Sequence, residues 1–300
     1  MGYSGRYHAA SLAAVFLALA VGILIGVGFG SDIVTGTADD LQQGLENDLE
    51  DARAQVDDLQ GELEAERTFE AAIYPAVVED QLRSREIALI GIGGLDQGIA
   101  GDVDAAIGPA GAEVTEVAVV RNPPDLEALA QTVGERRARE VERGDPEAVQ
   151  FAAERAGRAL VEGGPRFDSL RGSVLSRYSG SPDGIDGVVV VRDPPEDLDP
   201  DEQQASDALQ QGLVDGLADA SITVGAETTG DDPSSIPFFD DRGIPTVDSV
   251  DLLSGRVALV YALTGAASGN FGVKDTAGSL LPDLLTPDEQ IALGAGGGRG

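Results

Sequence analysis

The feature that most constrains this chain is the run from Ala9 to Gly30, 22 residues in which no side chain is charged and only Ser11 is polar. As a helix rising about 1.5 Å per residue it spans roughly 33 Å, enough to cross the hydrocarbon core of a bilayer. Arg6 precedes the run and Asp32 follows it. The positive-inside rule then leaves residues 1–8 as a short cytoplasmic tail and places everything after the span outside. Ala18-Leu19-Ala20 resembles a cleavage site, so a cleaved signal peptide is the rival reading. The apolar run continues beyond it through Val21, Ile23, Leu24, Ile25, Val27 and Phe29. An uncleaved transmembrane signal anchor over 9–30 is therefore expected, making a single-pass membrane protein with an extracytoplasmic C-terminal domain. Along the span, Ala10, Ala14, Ala18, Gly22, Gly26 and Gly30 recur every four residues. Small residues at that spacing let two membrane helices approach closely, which favours self-association, although Ala and Gly are also common in membrane helices generally.

The next segment, 39–69, reads as a short coiled coil. Residues 39 to 67 carry eleven acids and two arginines, yet keep an apolar heptad. Leu45, Ala52 and Leu59 fall at d, and Leu49, Val56 and Leu63 at a. Arg53 and Arg67 both fall at e, where a parallel pairing sets them against Asp48 and Glu62 at g of a second chain. A parallel homodimer is the expectation. A single amphipathic helix folded back on the globular domain is the alternative, since the repeat is short and Gly44 and Gly61 weaken the helix.

After Tyr74-Pro75, which breaks the helical pattern, apolar runs alternate with helical stretches. Ile87–Ile92, Val114–Val120, Gly187–Val191, Ile222–Val224 and Pro245–Val247 read as strands. Residues 96–108, 125–162 and 200–219 read as helical, and Gly255–Ala267 as a closing helix. That alternation predicts an α/β domain over 85–285 with a mostly parallel, Rossmann-like sheet between two helical layers. The glycine-rich end, 286–300, is expected to be a disordered tail.

Composition narrows the chemistry. A formal net charge of −33 repels nucleic acid and anionic membrane surfaces and keeps the domain soluble. There is no cysteine, the only methionine is Met1 and the only histidine is His8. Disulfides and thiolate sites are excluded, and the region after the span offers neither the thiolate or thioether that Cu(I) selects nor the imidazole that suits Cu(II). A serine nucleophile would need a His or Lys base; His8 precedes the span and Lys274, the only lysine, stands in no motif. No enzyme and no cofactor are expected. Gly91-Ile92-Gly93-Gly94 follows a strand where phosphate could bind, but Asp96 occupies the last glycine position of the fingerprint, which favours a plain strand-to-helix turn. The acidic pairs Asp231-Asp232 and Asp240-Asp241 and the acids between Asp193 and Glu202 match no EF-hand and read as solvated loops.

The stretch His8-Ala9-Ala10-Ser11-Leu12-Ala13-Ala14-Val15-Phe16-Leu17-Ala18-Leu19-Ala20-Val21-Gly22, with Gly26 and Gly28-Phe29 after it, resembles the start of the mycobacterial copper-transport protein B (MctB) family. So does Gly255-Arg256-Val257-Ala258-Leu259-Val260-Tyr261-Ala262-Leu263, followed by Gly269 and Phe271-Gly272. The order of anchor, coiled coil, α/β domain and closing helix agrees as well. The resemblance implies an envelope protein with a role in copper transport or copper homeostasis. Some relatives are linked instead to septum formation and control of peptidoglycan hydrolases. The alternative it implies is a coiled-coil scaffold that recruits a cell-wall partner.

Overall fold

The computed structural model describes residues 5–283, which divide into two compact units at Phe69/Glu70. The expected tail at 286–300 and the first four residues of the expected tail at 1–8 lie outside the described residues. The first unit is helical: α1 runs Gly5–Val78. Ala10–Val27 within it has a mean hydropathy of 2.6 and is long and apolar enough to cross a membrane. Gly44 and Gly61 do not interrupt the helix, and neither does Pro75. The break expected at Tyr74-Pro75 is absent. Pro75 removes one backbone donor and strains the turn before it. What offsets this is packing. Tyr74, Val78 and, just beyond the helix, Leu82 are buried in the domain core, and the Tyr74 hydroxyl donates to the Ala106 carbonyl at 2.7 Å.

The second unit is an α/β domain. Its elements are β1 (Glu86–Ile92), α2 (Gln97–Ile107), β2 (Glu113–Val120), α3 (Leu126–Ala130), α4 (Glu135–Val141), α5 (Pro146–Glu162), α6 (Gly164–Arg171), β3 (Leu175–Gly180), β4 (Ile185–Arg192), α7 (Pro200–Ala220), β5 (Ile222–Ala226), α8 (Ile236–Asp240), β6 (Thr246–Val247), α9 (Leu253–Leu263) and β7 (Asn270–Phe271). One sheet runs in the order β3-β2-β1-β4-β5-β6-β7, parallel throughout except for β3 against β2. The mostly parallel sheet is thus present, with an antiparallel edge that the sequence pattern did not signal.

Strand parity sends alternate residues to two cores. Ala88, Ile90 and Ile92 of β1 join Val188 and Val190 of β4 against α3, α5, α6 and α7. Ile87 and Leu89 join Val189 and Val191 against α2, α9 and the end of α1. Strands buried on both faces lose their alternation, which is why β1 and β4 read as continuous apolar runs. The residues 125–162, expected as one helical stretch, form three helices. Asp125 and Asp145 cap the starts of α3 and α5 through their side chains, and Gly144 has φ +75. A residue in that left-handed conformation ends one helix just as Asp145 and Pro146 begin the next.

Helices α5 and α7 meet backbone to backbone. A Cβ on Gly157 would overlap the Leu213 carbonyl oxygen, one on Gly212 that of Gln150, and one on Gly216 that of Glu154. Three glycines therefore set the separation of this helix pair.

Candidate functional site

The carboxyl ends of the strands converge on a cleft of about 370 Å³. It lies where strand order reverses, with β2 to one side of β1 and β4 to the other. In open α/β sheets that crevice is the usual ligand position. Gly94, Asp96, Arg192, Asp193, Thr228 and Asp231 line it.

The glycine turn after β1 serves the protein's own packing. Gly93 has φ +90, and a Cβ there would overlap the Asp193 carbonyl oxygen. A Cβ on Gly94 would overlap the Asp193 carboxylate. Backbone bonds from Asp193 to Ile92 and from Gly93 to Val120, both 2.9 Å, complete the turn. The space a phosphate would need is filled by Asp193. The start of α2 is taken too, because the Asp96 carboxylate accepts from the Gly98 amide at 2.6 Å. Asp231 turns on its own loop, accepting from the Thr228 amide at 2.6 Å.

The cation of the cleft, Arg192, is committed to neighbours. Its Nε donates to Gln210 Oε1 at 2.8 Å, and its guanidinium lies 3.7 Å from the centre of the Phe238 ring. Arg242 lies 3.9 Å from the same ring. Burial, reinforced by Arg242, lowers the Arg192 guanidinium to about 10. It stays charged at neutral pH. The cleft as a whole sets three carboxylates against one stacked guanidinium, a poor anion site.

Three buried acids, Glu227, Asp248 and Glu116, were not singled out by sequence. Glu227, just after β5, accepts from Lys274 Nζ at 2.7 Å, from the Ser234 hydroxyl at 2.7 Å and from the Ser235 amide at 2.6 Å. Lys274 also donates to the Asp231 carbonyl at 2.8 Å. Asp248, after β6, accepts from the Val273 and Lys274 amides at 2.8 and 3.0 Å. This network ties the segment after β7 to the ends of β5 and β6. It engages the only lysine in an ion pair. The third acid, Glu116 on β2, is wholly buried, and neither carboxyl oxygen has a hydrogen-bond partner among the described residues. Burial pushes this carboxyl up to about 8. Its position was readable by parity, since Glu116 shares a face with Ala118 and Val120.

The residues expected to mediate association lie on α1. Ala10, Ala14, Ala18, Gly22 and Gly26 are exposed, and a Cβ on Gly22 or Gly26 would meet nothing within 4 Å. Gly30 lies in the helix, and its exposure is outside what the structure describes. Leu45, Leu49, Ala52, Val56, Leu59 and Leu63 are all exposed. Among the described residues no three His, Cys, Asp or Glu side chains converge as a metal site.

The family model described as "Copper transport outer membrane protein, MctB" matches residues 3–282. The chain belongs to the MctB family. Similar proteins named Copper transporter MctB occur in Mycobacterium bovis and in two strains of Mycobacterium tuberculosis, each 32% identical over 110 residues. Those matches cover 37% of this chain and 35% of each relative, so the chain spans about a third of the length of the curated relatives it matches.

Proposed function

We propose that this chain is a membrane-anchored, non-enzymatic envelope protein that serves copper homeostasis through protein partners. The observation that carries this reading is the family match over residues 3–282. Ala10–Val27 is the anchor, and Arg6 before it with Asp32 after it sets the domain outside. The domain is Rossmann-like in strand order alone, because its glycine turn encloses Asp193 instead of a phosphate.

Copper is here a cargo of the family rather than a resident ion. The donor set does not fit it: Cys is absent, and the sole Met and His, Met1 and His8, precede the span. The sheet of the described residues is open, with edges β3 and β7, and is covered on both faces, so it is not a membrane barrel. A role through partners reconciles the family with these residues. The exposed apolar positions of α1 favour a second reading, a scaffold for a cell-wall enzyme at the septum.

The test is a deletion strain scored for copper tolerance and for cell separation, complemented with the full chain. Copper hypersensitivity reversed by the full chain supports the first reading. A separation defect with normal copper tolerance replaces it with the second. Protease added to spheroplasts should digest the domain; protection would overturn the orientation.

A further inference from the structure

We infer that residues 45–63 of α1 dock against the same segment of a second copy of this chain, in parallel and in register. Leu45, Leu49, Val56, Leu59 and Leu63 are 61, 50, 51, 56 and 46% exposed, and no described residue of their own unit covers them. Five branched aliphatic side chains along one stripe are costly to leave in water.

The flanking charges select the occupant. In a parallel pair each g residue meets the e residue five positions on in the other helix. Asp48 then meets Arg53, Gln55 meets Gln60, and Glu62 meets Arg67. All three pairs are attractive or neutral. Of the remaining acids of these heptads, Glu50, Asp51, Asp57, Asp58 and Glu64 fall at b and c, turned away from the seam, and Glu46 falls at e, where the g residue it meets is Leu41. An antiparallel pair sets g against g and e against e, so it forgoes both the Asp48–Arg53 and the Glu62–Arg67 pairings and brings Asp48, Gln55 and Glu62 together with no opposite charge among them. A basic partner helix would find two arginines on the flank it must contact. Among the described residues neither Arg53 nor Arg67 makes an ion pair within its own chain, so both are available. Glu66 at the next d position ends the seam. The pairing of Asp48 with Arg53 and of Glu62 with Arg67 favours the parallel orientation whether or not residues 9–30 remain as an anchor.

The chain contains no cysteine, which permits a direct test on the full protein in its membrane. Single cysteines replacing Leu45, Val56 or Leu63 should form disulfide-linked homodimers under mild oxidation, and cysteines replacing Asn47 or Asp58 should not. Equal trapping at all five positions, trapping at none, or adducts to a different protein would overturn the inference. Arg53→Glu in the Leu45 cysteine background should reduce trapping, with up to about fivefold lost for each of the two symmetry-related pairs. Adding Asp48→Arg should restore it by exchanging the partners. Failure of that exchange would overturn the parallel register. The copper phenotype is a separate measurement, so failure of one reading leaves the other standing.

Discussion

Glu116 should make the domain less stable as pH rises through the neutral range. Its carboxyl is buried on β2 without a partner and is pushed from 4.5 to about 8. An acid raised in the folded state holds its proton more tightly there than in the unfolded chain. Between pH 4.5 and about 8 unfolding therefore releases a proton, and stability falls as pH rises. Below that window the cost is absent; above it the cost is complete. At about 1.4 kcal/mol per pH unit, the loss is about 1 kcal/mol at pH 5, about 3 at pH 7 and about 4 at pH 8. These are upper bounds, because any relaxation toward water reduces them. Glu116→Gln keeps the shape and cannot ionise. The comparison is urea unfolding of the full chain and the variant in detergent, followed by tyrosine fluorescence. The chain lacks tryptophan, and Tyr74, Tyr178 and Tyr261 lie in the domain. The variant should match the wild type near pH 4 and exceed it increasingly toward pH 8. Parallel stability profiles across that window would refute the reasoning, because every other titrating group is common to both proteins.

Three further outcomes are expected. Gly212→Val should lower stability by at least about 1–3 kcal/mol, seen as a lower thermal midpoint, because its side chain would enter the backbone of α5. Lys274→Met should cost about 3–5 kcal/mol by leaving the buried Glu227 unpaired, and adding Glu227→Gln should recover part of the lost urea midpoint. Calorimetric titration of the full chain with copper should give no one-to-one site of micromolar or tighter affinity, since the only histidine and methionine precede the span.

Much of the architecture was legible where burial on both faces leaves a plain signature. Ile87–Ile92 and Gly187–Val191 read as strands from their apolar runs, and the structure places both at the centre of the parallel part of the sheet. The Leu-Ser-Arg-Tyr-Ser-Gly of β3 gave no such signal, because an exposed antiparallel edge needs little apolar content. Pro75 misled because local backbone preference was outweighed by the burial of Tyr74 and Val78. Asp145-Pro146 marked the start of α5 plainly, yet the apolar period across 125–162 hid it. The cleft was half legible. Asp96 pointed to a strand-to-helix turn, which it caps, while the role of Asp193, a hundred residues away, needed the sheet to bring β4 beside β1. The Glu227–Lys274 pair, 47 residues apart, follows from no local pattern.

Lys274 has a practical consequence for chemistry performed on the folded protein. It carries the only side-chain amine in 300 residues, and that amine is held by the Glu227 carboxylate and the Asp231 carbonyl. Amine-reactive labels and cross-linkers should therefore leave the native domain almost untouched, with the α-amino group as the competing target. Each acylation of Lys274 would record one opening of the loop that follows β7, so the rate of a single-site labelling reaction becomes a clock for the motion of that end of the sheet.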